Sequence, residues 1–299
     1  MESRKRASGE AKERIAPPDS PIAPGALCRV RVSVADLWSR PVPGSERVSQ
    51  MLLGTPLRVL AECGDYAYVE SPDSYRGWTL QAETVPVASL DKPDHVISDL
   101  IVPAYPAPEA SEPRLELYYG TRLTAGESAG ERRQVLLPDG PAWVPATSLR
   151  RIDYEPLAPP SPCRRETTPE GAESDHPLDV EALLADAHRW VGVSYLWGGG
   201  TPRGVDCSGF VQVLFGVHGR RLLRDARLQV RHGISVAVTE VQAGDLLFFG
   251  RSRWNLPTHV GIAVGPESYI HAHDSEGHCV EVSPLAPALE RWWGARRIW

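Results

Sequence analysis

Apolar positions in the first half of the chain recur in short runs. They are CRVRVSV (28–34), PLRVLAEC (56–63), YAYVES (66–71) and RGWTL (76–80), each followed by a turn signal. Runs of this length at this spacing predict the strands of a small barrel. The pattern starts again at His95 and lasts to about Tyr154. The recurrence is one of sequence as well as hydropathy. LLGTPLRV (52–59) aligns with YYGTRLTA (118–125), setting Gly54 against Gly120 at an offset of 66. GWTLQAETV (77–85) aligns with AWVPATSLR (142–150), setting Trp78 against Trp143 at an offset of 65. Two matches at nearly one offset predict duplicated modules.

The last third changes period. Leu183, Leu184, Ala187, Trp190 and Val191 share one helical face and predict a helix over 179–191. Cys207, Phe210, Val211, Leu214 and Phe215 make a second such face, with Asp206 placed to cap it. Strand-like runs follow: GDLLFFG (244–250), HVGIAVG (259–265), SYIHAH (268–273), CVEVS (279–283) and ARRIW (295–299). Helices first and consecutive strands afterwards predict an α+β unit with an antiparallel sheet. The Pro-, Glu-, Ser- and Thr-rich stretch 156–177 has no apolar face and reads as a linker. The expected organisation is an arm (1–24), two all-β barrels (25–92 and 93–155), the linker (156–177) and an α+β domain (178–299).

Composition narrows the function classes. The 299 residues are 42% hydrophobic, enough for packed cores, and the net charge of -6 supplies no basic footprint for nucleic acid or an anionic membrane. No run of about 18 apolar residues is present, so no span is expected. The first residues carry charges of both signs and no apolar stretch, so a cytoplasmic location is expected. Five cysteines, at 28, 63, 163, 207 and 279, show neither metal spacing nor a disulfide framework. Reduced thiols are expected, although Cys28 and Cys63 could meet within the first barrel.

Cys207 differs from the other cysteines in its setting. It follows the glycine loop of YLWGGGTPRGVDCSGF and opens a helix. Free N–H groups and the helix dipole favour a thiolate there, in the range of about 3.5–7.5 for activated cysteines. The same N–H groups could hold an oxyanion. His259 and His271 lie in predicted strands on either side of a Gly265-Pro266 turn, so strand pairing would bring them together. His259 would then take the thiol proton and His271 would fix its tautomer. Each of these residues alone is more often an ordinary packing group.

Five stretches occur in order: YLWGGGTPRGVDCSGFVQ, LLRDARLQVRHG, VQAGDLLFFG, THVGIAVG and SYIHAH. Together they resemble the NlpC-type cell-wall cysteine peptidases. The two barrels in front resemble the subgroup that cleaves γ-D-glutamyl–diamino acid bonds in murein peptides. The resemblance implies a papain-like core with Cys207 as nucleophile, His259 as base and His271 as third member. It also implies that the Tyr195 hydroxyl assists at the oxyanion. Asp206 and Ser208 would grip the free amine of the substrate, with Arg224 near the site and Glu83 and Tyr118 reaching in from the barrels. Ala226 stands where relatives carry a serine, which bears on substrate contacts and not on the chemistry. Trp292 and Trp293 are expected to pack the sheet, with the pocket wall as an alternative. No metal or organic cofactor is implied; the partner is a murein peptide, and the chain is taken as a monomer. A silent murein-peptide binding protein and an amidase or acyltransferase on the same core are the competing readings.

Overall fold

The computed structural model describes residues 23–90, 92–152, 177–251, 255–274 and 277–298. Nearly all of the expected arm and linker, Cys163 included, lies outside the described residues.

The first module has seven strands: β1 (Leu27–Val30), β2 (Val34–Trp38), β3 (Arg47–Leu52), β4 (Pro56–Cys63), β5 (Tyr66–Glu70), β6 (Arg76–Leu80) and β7 (Thr84–Pro86). They pair antiparallel in the order β3-β2-β6-β5-β4-β1-β7. Alternate residues point inward, and Val30, Leu37, Leu57, Val59 and Val69 close a core with no exposure. Cys28 is buried in that core while Cys63 is exposed on β4, and both are free thiols, so the two do not pair.

The second module repeats the plan with β8 (His95–Ile97), β9 (Ile101–Ala104), β10 (Leu115–Tyr118), β11 (Arg122–Ala129), β12 (Arg132–Leu137), β13 (Gly140–Pro145) and β14 (Leu149–Arg151). Five of these strands run in the order β13-β12-β11-β8-β14, and β9 pairs with β10. The duplication is visible in hydrogen bonds. Gly54 donates to the Val30 carbonyl at 2.8 Å and Gly120 to the Ile97 carbonyl at 2.9 Å. Both take positive φ, 79° and 90°, which explains the shared glycine. Each barrel also ends in a single 3-10 turn, Gln81–Glu83 and Ala146–Ser148.

The third unit opens with α1 (Val180–His188), whose Asp179 cap accepts from the Ala182 N–H at 3.0 Å. The helix is shorter than its apolar pattern. Trp190 stays fully buried in the following turn, whereas Val191 is 51% exposed. A short hairpin, β15 (Gly200–Thr201) and β16 (Gly204–Val205), leads into α2 (Cys207–Val217) and then α3 (Ala226–Gln229). The sheet comprises β17 (Ile234–Val236), β18 (Leu246–Phe249), β19 (His259–Ala263), β20 (Ser268–Ala272), β21 (Val280–Pro284) and, after α4 (Leu285–Ala288), β22 (Trp292–Arg297). Its order is β17-β22-β18-β19-β20-β21, antiparallel throughout. Phe210, Val211, Leu214 and Phe215 of α2 share one core with Phe248, Val260, Ile262 and Ile270 of the sheet. The α+β class follows. No helix among the described residues is long and apolar enough to cross a membrane.

The second barrel joins this core directly. Tyr119 is buried edge-on against Trp190, with ring centroids 5.7 Å apart, and its hydroxyl donates to Asp186 of α1 at 2.7 Å. His218 Nε2 reaches the same carboxylate oxygen at 3.0 Å. The carboxylate acts as a buried pin between barrel and helices. Burial pushes it up, but the bonds from His218 and Tyr119 and the nearby Arg150 outweigh that and hold it down at about 2.

Candidate active site

Asp206 caps α2 in extended backbone, and its Oδ1 accepts from the Gly209 N–H at 2.7 Å. Cys207 is therefore the first helical residue, as its sequence setting predicts. The glycines around it permit close backbone packing. A Cβ on Gly209 would collide with the Gly199 carbonyl, and one on Gly198 would lie 2.6 Å from the Arg47 carbonyl of the first barrel. Gly198 also holds φ at 73°, so glycine is required there twice over.

Burial, and then the Asp206 carboxylate, push Cys207 up to about 12 against the opposing effects of the Val260 and Ser208 backbone and of Arg224. The expected depression is thus reversed by desolvation. Tyr195 lies close enough that the Cys207 charge, after burial, raises its phenol, so the hydroxyl stays protonated as a donor.

His259 opens β19, and its Nε2 meets Nδ1 of His271 on β20 at 2.7 Å. The β19–β20 hairpin brings the two rings to a 4.9 Å centroid distance. Both imidazoles are neutral. Burial, then Arg291 and His273, bring His259 down to about 4; burial, then His259 and His273, bring His271 down to about 3.

The chain of hydrogen bonds continues onto β21, where the sequence reading placed nothing. His271 Nε2 lies 3.1 Å from Ser283 Oγ, and Ser283 donates to Glu281 Oε1 at 2.7 Å. The carboxylate can only accept, and this gives the chain a direction. Ser283 spends its proton on Glu281, so it accepts from His271 Nε2–H. His271 Nδ1 is then bare and accepts from His259 Nε2–H, leaving His259 Nδ1 as a free base. The available signal was period two: His271 faces Glu281 across β20–β21, and Ser283 is two residues on.

Asp206, Ser208 and Arg224 come together, but differently from the expectation. Arg224 is buried and grips both Asp206 oxygens, at 2.9 and 2.6 Å, while its Nη1 also donates to Ser208 Oγ at 2.9 Å. With Gly209 on Oδ1 and Gly198 on Oδ2 at 2.9 Å, the carboxylate is saturated. Asp206 serves here as cap and counterion.

The expected barrel residues lie as follows. Glu83 is tied to its own module, its carboxylate accepting from Thr79 Oγ1 at 3.4 Å and its carbonyl from Arg31. Tyr118 donates to Glu116 at 3.1 Å, and Glu116 in turn pairs with Arg203 in the turn between β15 and β16. The residues that the first barrel presents to the glycine loop are Glu46, Ser49 and Gln50. Glu46 accepts from Trp197 Nε1 at 2.9 Å, Ser49 from Arg224 Nε at 3.1 Å and Gln50 from the Gly200 N–H at 3.0 Å. Tyr75 adds a bond to Asp225 at 3.1 Å. Trp292 packs edge-on against Phe249, as expected of a sheet residue.

Known proteins resemble this chain in sequence and fold. The profile of the NlpC/P60 family matches residues 192–297, and that of the bacterial dipeptidyl-peptidase Sh3 domain matches residues 37–82. A γ-D-glutamyl-L-lysine dipeptidyl-peptidase of Bacillus cereus is 29% identical over 273 residues, spanning 83% of this chain and 74% of that protein. A probable endopeptidase of Haemophilus influenzae is 38% identical over 125 residues, spanning 41% of this chain and 77% of that one. The crystal structure of an NlpC/P60 family protein from Bacillus cereus has the same fold, with a TM-score of 0.77 at 23% identity over 91% of this chain and 99% of that one. The chain belongs to the NlpC/P60 family of cysteine-type, cell-wall peptidases.

Proposed function

We propose that the chain hydrolyses γ-D-glutamyl–diamino acid bonds in peptidoglycan-derived peptides that it takes by a free amino end. Cys207 is the nucleophile, His259 the base, His271 the group that fixes the base and Tyr195 an oxyanion donor. The observation that carries the reading is the first barrel sealed against the glycine loop beside Cys207, through Glu46, Ser49, Gln50 and the Arg47 carbonyl. A cleft closed at that end accepts a chain terminus and refuses a continuing strand. The names of the relatives, dipeptidyl-peptidases acting on γ-D-glutamyl-L-lysine, agree with this.

Both thiol and imidazole are neutral at rest, so proton transfer accompanies attack. Sulfur bonds to the carbonyl carbon while the thiol proton moves to His259 Nδ1 and the oxygen becomes an oxyanion. The Tyr195 hydroxyl and backbone N–H groups at the start of α2 stabilise it. His259 returns the proton to the departing amine as the C–N bond breaks, and then activates water against the thioester. The relay from Glu281 keeps the His259 Nδ1 lone pair toward the thiol. Asp36 and Glu46 are the candidate carboxylates for the substrate ammonium, since Asp206 is saturated. Asp36 reaches the glycine loop through Gln50, and Glu46 through Trp197.

The test is mass-spectrometric turnover of L-Ala-γ-D-Glu-diaminopimelate, free and N-acetylated, by wild type and Cys207→Ala. Release of L-Ala-γ-D-Glu from the free peptide by wild type alone is expected. Equal cleavage of the acetylated peptide would remove the free-amine requirement. No cleavage of either would remove the bond assignment.

A further inference from the structure

The β20–β21 hairpin region brings together three potential metal-ligand residues. His271 is on β20 and His273 lies one residue past its end, and Glu281 stands directly opposite His271 on the next strand. The two imidazoles stack with centroids 5.0 Å apart at 23°. His273 Nε2 comes within 3.1 Å of Glu281 Oε1, and one donor atom from each of the three residues falls within 4.8 Å of the others. Both histidines are more than nine-tenths buried, while the Glu281 side chain is 42% exposed and leaves an entry from solvent.

We propose that His271, His273 and Glu281 form an inhibitory site for a divalent transition metal of the zinc class. Two imidazoles and one carboxylate suit such an ion, with water in the fourth position. Bonds of about 2.0–2.2 Å space tetrahedral ligands roughly 3.4 Å apart. The His273–Glu281 distance already meets this, and a small rotation of His271 completes the set. The β20–β21 pairing holds His271 and Glu281, and the His273 N–H bonds the Cys279 carbonyl just past the end of β20.

The position of the site determines its effect. At rest His271 Nε2 carries a proton and donates it to Ser283. Metal ligation requires a bare Nε2, so the His271 proton moves to Nδ1. Nδ1–H then donates to His259 Nε2, which must become the acceptor, and the His259 proton moves to Nδ1. Each ring keeps one proton, but the nitrogen that should accept the Cys207 proton now carries one. The metal reverses the relay and silences the base without touching the thiol. The ligand set stands on geometry alone, whereas the silencing rests on the roles proposed for Cys207 and His259.

The experiment uses the full chain, stripped with EDTA. Calorimetric titration with Zn²⁺ on the Cys207→Ser chain, which lacks the catalytic thiol, is expected to show uptake at one site. Adding His273→Ala, or separately Glu281→Gln, should weaken it about tenfold or more. In wild type, Zn²⁺ should lower murein-peptide turnover, and chelator should restore it. His273→Asn should raise the inhibitory concentration about tenfold, measured against its own metal-free rate. Absence of uptake, or uptake that both substitutions leave unchanged, overturns the site. Inhibition of equal potency in His273→Asn assigns the metal to the thiol and overturns the silencing. Site-dependent uptake by a chain with no peptide turnover keeps the site and rejects the peptidase role.

Discussion

Replacing Asp206 by Asn separates two roles that the same carboxylate could have. The amide keeps the side-chain shape and its oxygen can still cap α2, so the change is one of charge. Arg224, with 3% of its side chain exposed, then loses the counterion it grips at 2.9 and 2.6 Å. Removing one partner of a buried pair costs about 3–5 kcal/mol because the other charge stays desolvated. Ser49, Ser208 and the Gly199 carbonyl still accept from the guanidinium, which puts the expectation at the lower end. A loss of about 3 kcal/mol lowers the thermal midpoint of the C-terminal unit by roughly 12 °C. Arg224→Met should be similarly costly. The double variant should recover at least half of the summed loss, since neither buried charge then remains. The assay is denaturant and thermal unfolding of the four proteins, followed by tryptophan fluorescence, with KM for free and acetylated murein tripeptide beside it. A stability loss below about 1 kcal/mol, together with a KM raised only for the free-amine peptide, would refute the argument and return Asp206 to the amine.

Other predictions test the remaining parts of the molecule. Ser283→Ala removes one relay hydrogen bond worth about 1 kcal/mol, so kcat should fall about fivefold with KM unchanged; a KM effect alone would contradict the tautomer argument. Gly198→Ala should cost about 1–2 kcal/mol for the positive φ, with the clash on the Arg47 carbonyl in addition. It should also raise barrel mobility in hydrogen exchange at 46–50, and normal protection there would oppose the close-packing account. Asp186 is held down at about 2, so its stabilising contribution is full above the ordinary carboxylate value near 3.9 and is lost as pH falls through about 2. Acid unfolding should therefore be flatter in Asp186→Asn than in wild type over that window.

The apolar periods carried most of the fold. Short apolar runs between turn signals marked the strands, period 3.6 marked the Cys207 helix, and the repeat offset marked the paired barrels. The placement of the candidate residues was legible where one local element sufficed: Cys207 behind its Asp206 cap, and His259 with His271 across a single hairpin. Contacts between charges far apart in the sequence were not legible. Nothing near Asp206 in sequence shows that Arg224 will saturate it, because the two meet only through the loop that follows α2. Glu83 and Tyr118 were placed by resemblance to relatives; how the first module docks additionally sets Glu46 and Gln50 against the glycine loop and Ser49 against Arg224. The helix-start argument for a low thiol pKa failed for a related reason. The dipole is a local property of the helix, but desolvation depends on what packs over it, and β19 packs over Cys207. The sequence by itself determined the elements and their order, since these depend on short-range periodicity, and its resemblance to a family supplied the candidate reactive groups. Tertiary structure alone decided which charges neutralise each other, which barrel face closes the cleft and in which direction the histidine relay points, because each depends on distances and burial that only packing creates.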